Sequence, residues 1–558
     1  MAGQQHPVFE LSSRFVDASA ALSPMEATYL GIPGSDDRWG DLGLEGAEEE
    51  EALLHRTRAE LHALPPTTGD RWAELARRVM DDHLADAIDG HLHGDHLRDI
   101  SHLASTVPSM RSLIELQGFG TPEEAADLLA RLETIGPALD GWWERVDHGR
   151  REGLLVAARQ VRALAEQLRK GVEPTGAYPQ KLAEVEAAHP GLAARCDAAR
   201  AAVTEASLRA ADRLEQAYLP HAPERDGVGA ERYARNARRF LGTTIDLEAT
   251  YHWGWERIAA LRTRAHEVAA RIDASRDLDG VLELLRTDAR YAAPSQAAFR
   301  DAMQERQERA LASLTDVHFD VPEQIRTVTV NTVAPGAPLA AWYHGPSEDF
   351  SRPGTIWWSL GDAVQVPLFD QVSTAYHEGF PGHHLQIGVQ VSLTDRLSRS
   401  HRLLSWRPGY GEGWALYAEQ LMDELGELER PEYELGYLGT SLMRAVRVVV
   451  DLGLHLDLPI PGDAPLHPGT AWTYERAVEA LTRLAFLDEP TARSEVTRYL
   501  GWPAQAISYA VGQRAIVELR EARRAQEGGA FDLRRFHADV IGSGCVGLDH
   551  LRELVMGA

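Results

Sequence analysis

The sequence predicts a mainly α-helical protein carrying one small β-sheet. Three observations lead there. Apolar residues recur at helical spacing through most of the chain. Several of these stretches open on capping residues and stop at Gly or Pro. Strand-like alternation is confined to two short, neighbouring segments. A chain of 558 residues exceeds one simple core, so two or three subdomains, or one helical body with lobes, are expected.

In chain order, LGLEGAEEEEALLHRTRAELHAL carries an acidic run, read as a solvated helix start. His83, His91, His93, His96 and His102 crowd a segment broken by Gly90 and Gly94, and their irregular spacing reads as surface or loop rather than metal site. Thr121-Pro122-Glu123-Glu124 is a helix start: a capping hydroxyl, proline at the first helical position, then acids. Ala126, Leu129, Leu132 and Ile135 follow near helical spacing. GLLVAARQVRALAEQLRKG is a helix stopping at Gly171, and an Ala-rich helix ends before Pro220. DLEATYHWGWERIAALRTRAHEVAARIDA is a further helix. IRTVTVNTVAP alternates and is rich in Val and Thr, as a half-buried strand should be, and GTIWWSL is a second strand after the turn Arg352-Pro353-Gly354. Helices then return through GWALYAEQLMDELG, SLMRAVRVVVDLGLHL, YERAVEALTRLA, SEVTRYL and SYAVGQRAIVELREARRAQ.

The net charge of −27 argues against nucleic acid and anionic membrane surfaces, which need clustered Lys and Arg. Two cysteines, Cys196 and Cys545, are too few for a disulfide framework or a cysteine zinc site, so any metal would rest on His and carboxylates. No signal peptide and no membrane-spanning run is read, which makes the cytoplasm the expected location.

The segment STAYHEGFPGHHLQ begins like a zinc-peptidase helix. In H-E-x-x-H the two histidines share a helix face about 6 Å apart along the axis and converge on one ion, with the Glu beside them as base. Here Pro381 stands where the second histidine belongs. On a straight helix His384 would lie about 10.5 Å along the axis from His377, and His383 would point elsewhere. Pro381 withholds a helix hydrogen bond and Gly382 relaxes the backbone, so the helix is expected to open or bulge and return His383 to the ligand position. A plain Pro-Gly loop flanked by histidines is the competing reading. GYGEGWALYAEQL reads as a Gly-rich loop feeding a helix; Glu412 is the candidate third ligand, and Glu419 is either a group orienting a ligand histidine or a surface carboxylate.

HEGFPGHHLQ, EGWALYAE, RAVRVVVDLGLH and RYLGWPAQAISYAVGQ together resemble the DUF885 family, a group of zincin-like metalloproteins. LLARLETIGPALDGWWERV and the Arg352-Pro353-Gly354 turn extend the likeness, which covers most of the chain. The resemblance implies a single large, mostly helical zincin-like fold, with a small β-sheet next to the metal-bearing helix and a cleft between two lobes. It also implies one catalytic zinc. Residues 1–320 would be the helical N-terminal part and 321–558 the catalytic part. Mapped residue by residue, H-E-x-x-P-G-H falls on His377, Glu378, Pro381, Gly382 and His383, favouring His383 over His384, and E-G-W-A-x-Y falls on Glu412 to Tyr417.

The expected activity is a zinc-dependent hydrolase, a metallopeptidase for peptide or small amide bonds. His377, His383 and Glu412 hold the ion and Glu378 deprotonates its water. Tyr509 is the candidate oxyanion donor, with His455 as the other candidate across the cleft. Arg498 is a candidate for a substrate carboxylate, and Arg447 is expected to pair with Asp451 one turn on. The rivals are an amide hydrolase acting on a non-peptide metabolite and a non-catalytic binding protein with a decayed site.

Overall fold

The computed structural model describes residues 6–333 and 340–557. Helices dominate, and the chain divides into two compact units. The first runs to Gly227 and takes in Ser398–Leu404 and Leu500–Trp502; the second comprises Val228–Leu397, Ser405–Tyr499 and the chain from Pro503. The division thus falls ahead of residue 320. Its cause is the long helix Leu247–Ile272, which packs along the buried helix Pro431–Leu456. Gly254 lets the two approach: a Cβ there would lie 2.7 Å from Val449. Arg264 then ties the pair to Asp423 and Glu434.

In the first unit, Leu128, Leu129, Leu132 and Trp142 lie in one continuous apolar core. The Thr121 start forms a full capping box, with Glu124 N–H donating to the Thr121 hydroxyl and Thr121 N–H to the Glu124 carboxylate. The helix it opens ends at Glu133 and a new one starts at Ile135. The histidine-rich segment is more ordered than a loop. His83 and His91 lie on the helix Arg71–Leu92, and His91 stacks on His96 at 4.5 Å.

In the second unit, strands form at Thr329–Thr332, Ala340–His344 and Thr355–Ser359. Thr355–Ser359 is central, parallel to the first and antiparallel to the second. The last two residues of IRTVTVNTVAP, Ala334 and Pro335, lie outside the described residues. A single helix, Gln296–Leu314, serves both sheet and motif. Gln304 bonds Val330 N on the edge strand and Val328 O just before it, while Gln307, one turn on, reaches the HEGFPGHH segment. Among the described residues, no helix is long and apolar enough to cross a membrane.

Candidate metal centre

The motif helix breaks rather than bulges. One helix, Gln371–Glu378, ends at Gly379; a second, His383–Ser392, begins immediately after Gly382. The Phe380–Pro381 peptide between them is cis. The break has sequence causes. A Cβ on Gly382 would sit 2.0 Å from His377 O, so only glycine fits where the chain doubles back. At Gly379 a Cβ would collide with Gln307 at 2.1 Å. Gln307 accepts from Phe380 N–H at 2.7 Å and donates to Ala375 O at 2.8 Å, holding both sides of the break. Trp414 donates to Pro381 O at 2.9 Å and pins the turn from the other side.

This break brings His383 to His377, with ring centroids 4.9 Å apart and nearly perpendicular. The helix Pro408–Glu424 supplies the third donor. His377 Nε2 and His383 Nε2 each lie 3.4 Å from Glu412 Oε2. Two donors about 2.0–2.1 Å from one ion at the tetrahedral angle stand about 3.4 Å apart, so these separations fit zinc. Among the described residues, His377, His383 and Glu412 are the one group of His, Cys, Asp and Glu whose donor atoms converge, all within 4.8 Å.

The surroundings also fit an ion. His377 Nδ1 bonds Glu419 Oε1 at 2.8 Å, so its Nε2 faces the centre. Glu419 is almost fully buried and is itself held by the Ser373 and Thr440 hydroxyls. It is a buried carboxylate that orients the His377 ring, and not a surface one. Burial opposes the imidazolium of His377, yet on protein charges alone its bonds to Glu412 and Glu419 outweigh burial and push its pKa up to about 9. Burial likewise opposes the Glu412 anion, and the two imidazoles hold its carboxyl far below the usual range. The carboxylates around these imidazoles favour a positive charge there.

His384 is not part of it. Its Nε2 donates to Ile325 O at 2.8 Å, and its Nδ1 accepts from the Tyr343 hydroxyl at 3.0 Å. Burial pushes its pKa down to about 4, so it stays neutral. Gly354 of the Arg-Pro-Gly turn leaves room for that hydroxyl, since a Cβ would lie 2.1 Å from it.

The glycines around Glu412 belong to the helix, which starts at Pro408, and not to a feeding loop. They permit close approach. Gly411 lies under the Trp406 ring, and Gly413 meets the backbone of Gly512, where a Cβ would come within 2.5 Å. That crossing sets the helix Ser508–Glu527 against Glu412 and places Tyr509 beside the centre. The Tyr509 ring stacks on His377 at 6.4 Å and 17°. Glu378 is partly exposed, and burial raises its carboxyl pKa.

The remaining candidates separate. His455 is fully buried, accepts from Val228 N–H at Nδ1 and donates from Nε2 to Tyr499 O, which leaves no nitrogen for a substrate. Arg447 does not pair with Asp451. It binds Glu495 and the Tyr499 hydroxyl, while Asp451 accepts from Tyr233 and Ala504 N–H. Arg498 also reaches Glu495, at 3.2 Å. Sequence reasoning missed Gln307, whose only signal was its place one turn after Gln304.

The fold and these blocks place the chain in a family. Residues 24–555 match "Bacterial protein of unknown function (DUF885)", and the chain belongs to it. Two solved structures share the fold: "the putative lipoprotein from Colwellia psychrerythraea", at TM-score 0.82 and 22% identity over 98% of both chains, and "a putative lipoprotein of unknown function from Shewanella oneidensis", at TM-score 0.71 and 16% identity over 98% of this chain and 99% of that one. No curated protein matches it.

Proposed function

We propose that the protein is a zinc-dependent hydrolase of zincin-like build, a metallopeptidase cleaving peptide or small amide bonds. One observation carries the reading: His377, His383 and Glu412 donors within 4.8 Å of one another, with Glu378 next in the chain. Two imidazoles and one carboxylate suit zinc better than the hard, oxygen-seeking cations. Such an ion, when bound, supplies Lewis acidity and makes water acidic near neutral pH.

The chain's own groups then have separable tasks. Glu419 holds the His377 ring by Nδ1. Glu378 takes the proton of the attacking water and passes it to the leaving amine. The Tyr509 hydroxyl, which no described residue engages, donates to the oxyanion developing on the substrate carbonyl.

Metal analysis of the purified protein tests this directly. About one zinc per chain is expected, lost in His377→Ala. Glu378→Gln should keep the ion and lower amide hydrolysis at least about 100-fold. Finding no divalent transition ion in the wild type would overturn the reading. A peptide-library digest set beside a metabolite screen divides peptides from other amides. The cytoplasmic location belongs to the same proposal; the neighbours' name, lipoprotein, makes the membrane fraction the alternative, and cell fractionation decides.

A further inference from the structure

Three arginines gather behind Tyr509. Arg444 and Arg447 project from the helix Pro431–Leu456, and Arg498 from the helix Glu489–Gly501. The guanidinium carbons of Arg447 and Arg444 lie 4.7 Å and 6.0 Å from the centre of the Tyr509 ring. That same ring stacks on the ligand His377. Arg444 and Arg447 are 8% and 6% exposed, and the side chain of Arg498 is 12% exposed.

Direct ion pairs here are fewer than the arginines, although Glu378 and Glu419 act on Arg444, and Asp451 on Arg498, through space. Glu495 is the one carboxylate in ion-pair contact with this group among the described residues, and it is shared by Arg447 and Arg498. Arg447 spends its Nε and one terminal nitrogen on Glu495 and Tyr499. Arg444 has one hydrogen bond, to Thr440 O at 3.2 Å. The Nε atoms of Arg444 and Arg498 are both buried with no partner among the described residues. Two cationic groups held from water with donors unmet are costly unless an anion completes them. A guanidinium fork meets a carboxylate with two parallel bonds.

We propose that Arg444 and Arg498 bind the free terminal carboxylate of the substrate, so that the enzyme removes residues from the C-terminal end of peptides. The inference rests on the hydrolase reading and specifies it. Arg444, Arg447 and the ligand His377 all neighbour the Tyr509 ring, at 6.0, 4.7 and 6.4 Å from its centre, and Arg498 shares Glu495 with Arg447. A residue of extended chain spans about 3.3–3.6 Å, so a carboxylate held beside that ring falls within a few residues of the scissile bond. Internal peptide bonds of a long chain, with no carboxylate to offer, are poor substrates.

Two measurements test it. The zinc-loaded wild type is given matched peptides ending in a free acid or an amide. The acid should be cleaved with kcat/KM about 10–100-fold higher, the worth of one or two charge-assisted bonds. Equal rates overturn the proposal. Independently of turnover, a panel of N-acetyl amino acids, N-acetyl dipeptides and their amides is titrated into zinc-loaded Glu378→Gln protein. The acids should bind about tenfold or more tightly, and adding Arg444→Ala or Arg498→Ala should erase the preference while the amides bind as before. Circular dichroism confirms that each variant is folded, and Arg444→Lys should restore part of the preference. A panel with no acid-over-amide preference overturns the carboxylate site. A clear preference without cleavage of any peptide overturns the hydrolase reading and leaves the carboxylate site standing.

Discussion

Two adjacent histidines divide the work at the motif. His383 turns its Nε2 to Glu412, while His384 spends both nitrogens on Ile325 and Tyr343. Replacing His383 with Gln should therefore strip the ion. Replacing His384 with Gln should leave about one ion per chain and cost about 1–3 kcal/mol of stability, read from metal content and urea unfolding. Asp451 supplies the pH dependence. Burial pushes its pKa up to about 7, against the lowering pull of Tyr233, Ala504 N–H and Arg498, and His455 Nε2 stands 3.5 Å away. The fold thus prefers the protonated acid. Its contribution is full below about pH 4, the unfolded value, and is lost as pH rises through about 7. Asp451→Asn should flatten the fall in unfolding free energy between pH 4 and 8 by no more than about 4 kcal/mol. An unchanged slope would mean that Asp451 is ionised throughout.

The broken helix does at the element level what a regular H-E-x-x-H helix does with one extra turn. Its weak point is Gly382, where any side chain strikes His377 O. Gly382→Ala should cost about 1–3 kcal/mol and displace the backbone of a ligand, lowering zinc affinity at least about tenfold by competition with a chromogenic chelator. Proline and glycine signal that the helix opens near Pro381, because one lacks an N–H and the other a Cβ. They did not tell whether it would bulge or split. That choice rests on Gln307 and Trp414, distant in the chain and silent in local pattern. The Gly409–Gly413 stretch misled for a related reason. Glycine spacing looks alike whether it loosens a loop or lets two helices touch, and only Gly512 on the opposite helix separates the cases. By contrast, Glu412 and Glu419 were both legible as candidates, and they approach Nε2 and Nδ1 of the same imidazole.

Across the whole molecule, the mainly helical class and family were legible, because periodicity and four ordered motif blocks survive without coordinates. The unit boundary was not, since Leu247–Ile272 pairs with a helix nearly two hundred residues later in the chain. The centre joins four helices of the second unit, so an ion there should tie them into one cooperative body. A site filled at about a hundredfold over Kd adds about 2.7 kcal/mol to the folded state. Chelation should lower the thermal midpoint accordingly, and His377→Ala should show no chelator shift. A last consequence follows from the seating of His384. The residue next to the proposed ligand His383 is bolted to the sheet through the Tyr343 hydroxyl, on a strand that contributes no member of the His377, His383 and Glu412 cluster. On the proposed reading, coordination is geared to a β-ribbon: variation in that ribbon should retune the centre while all three of its members stay unaltered.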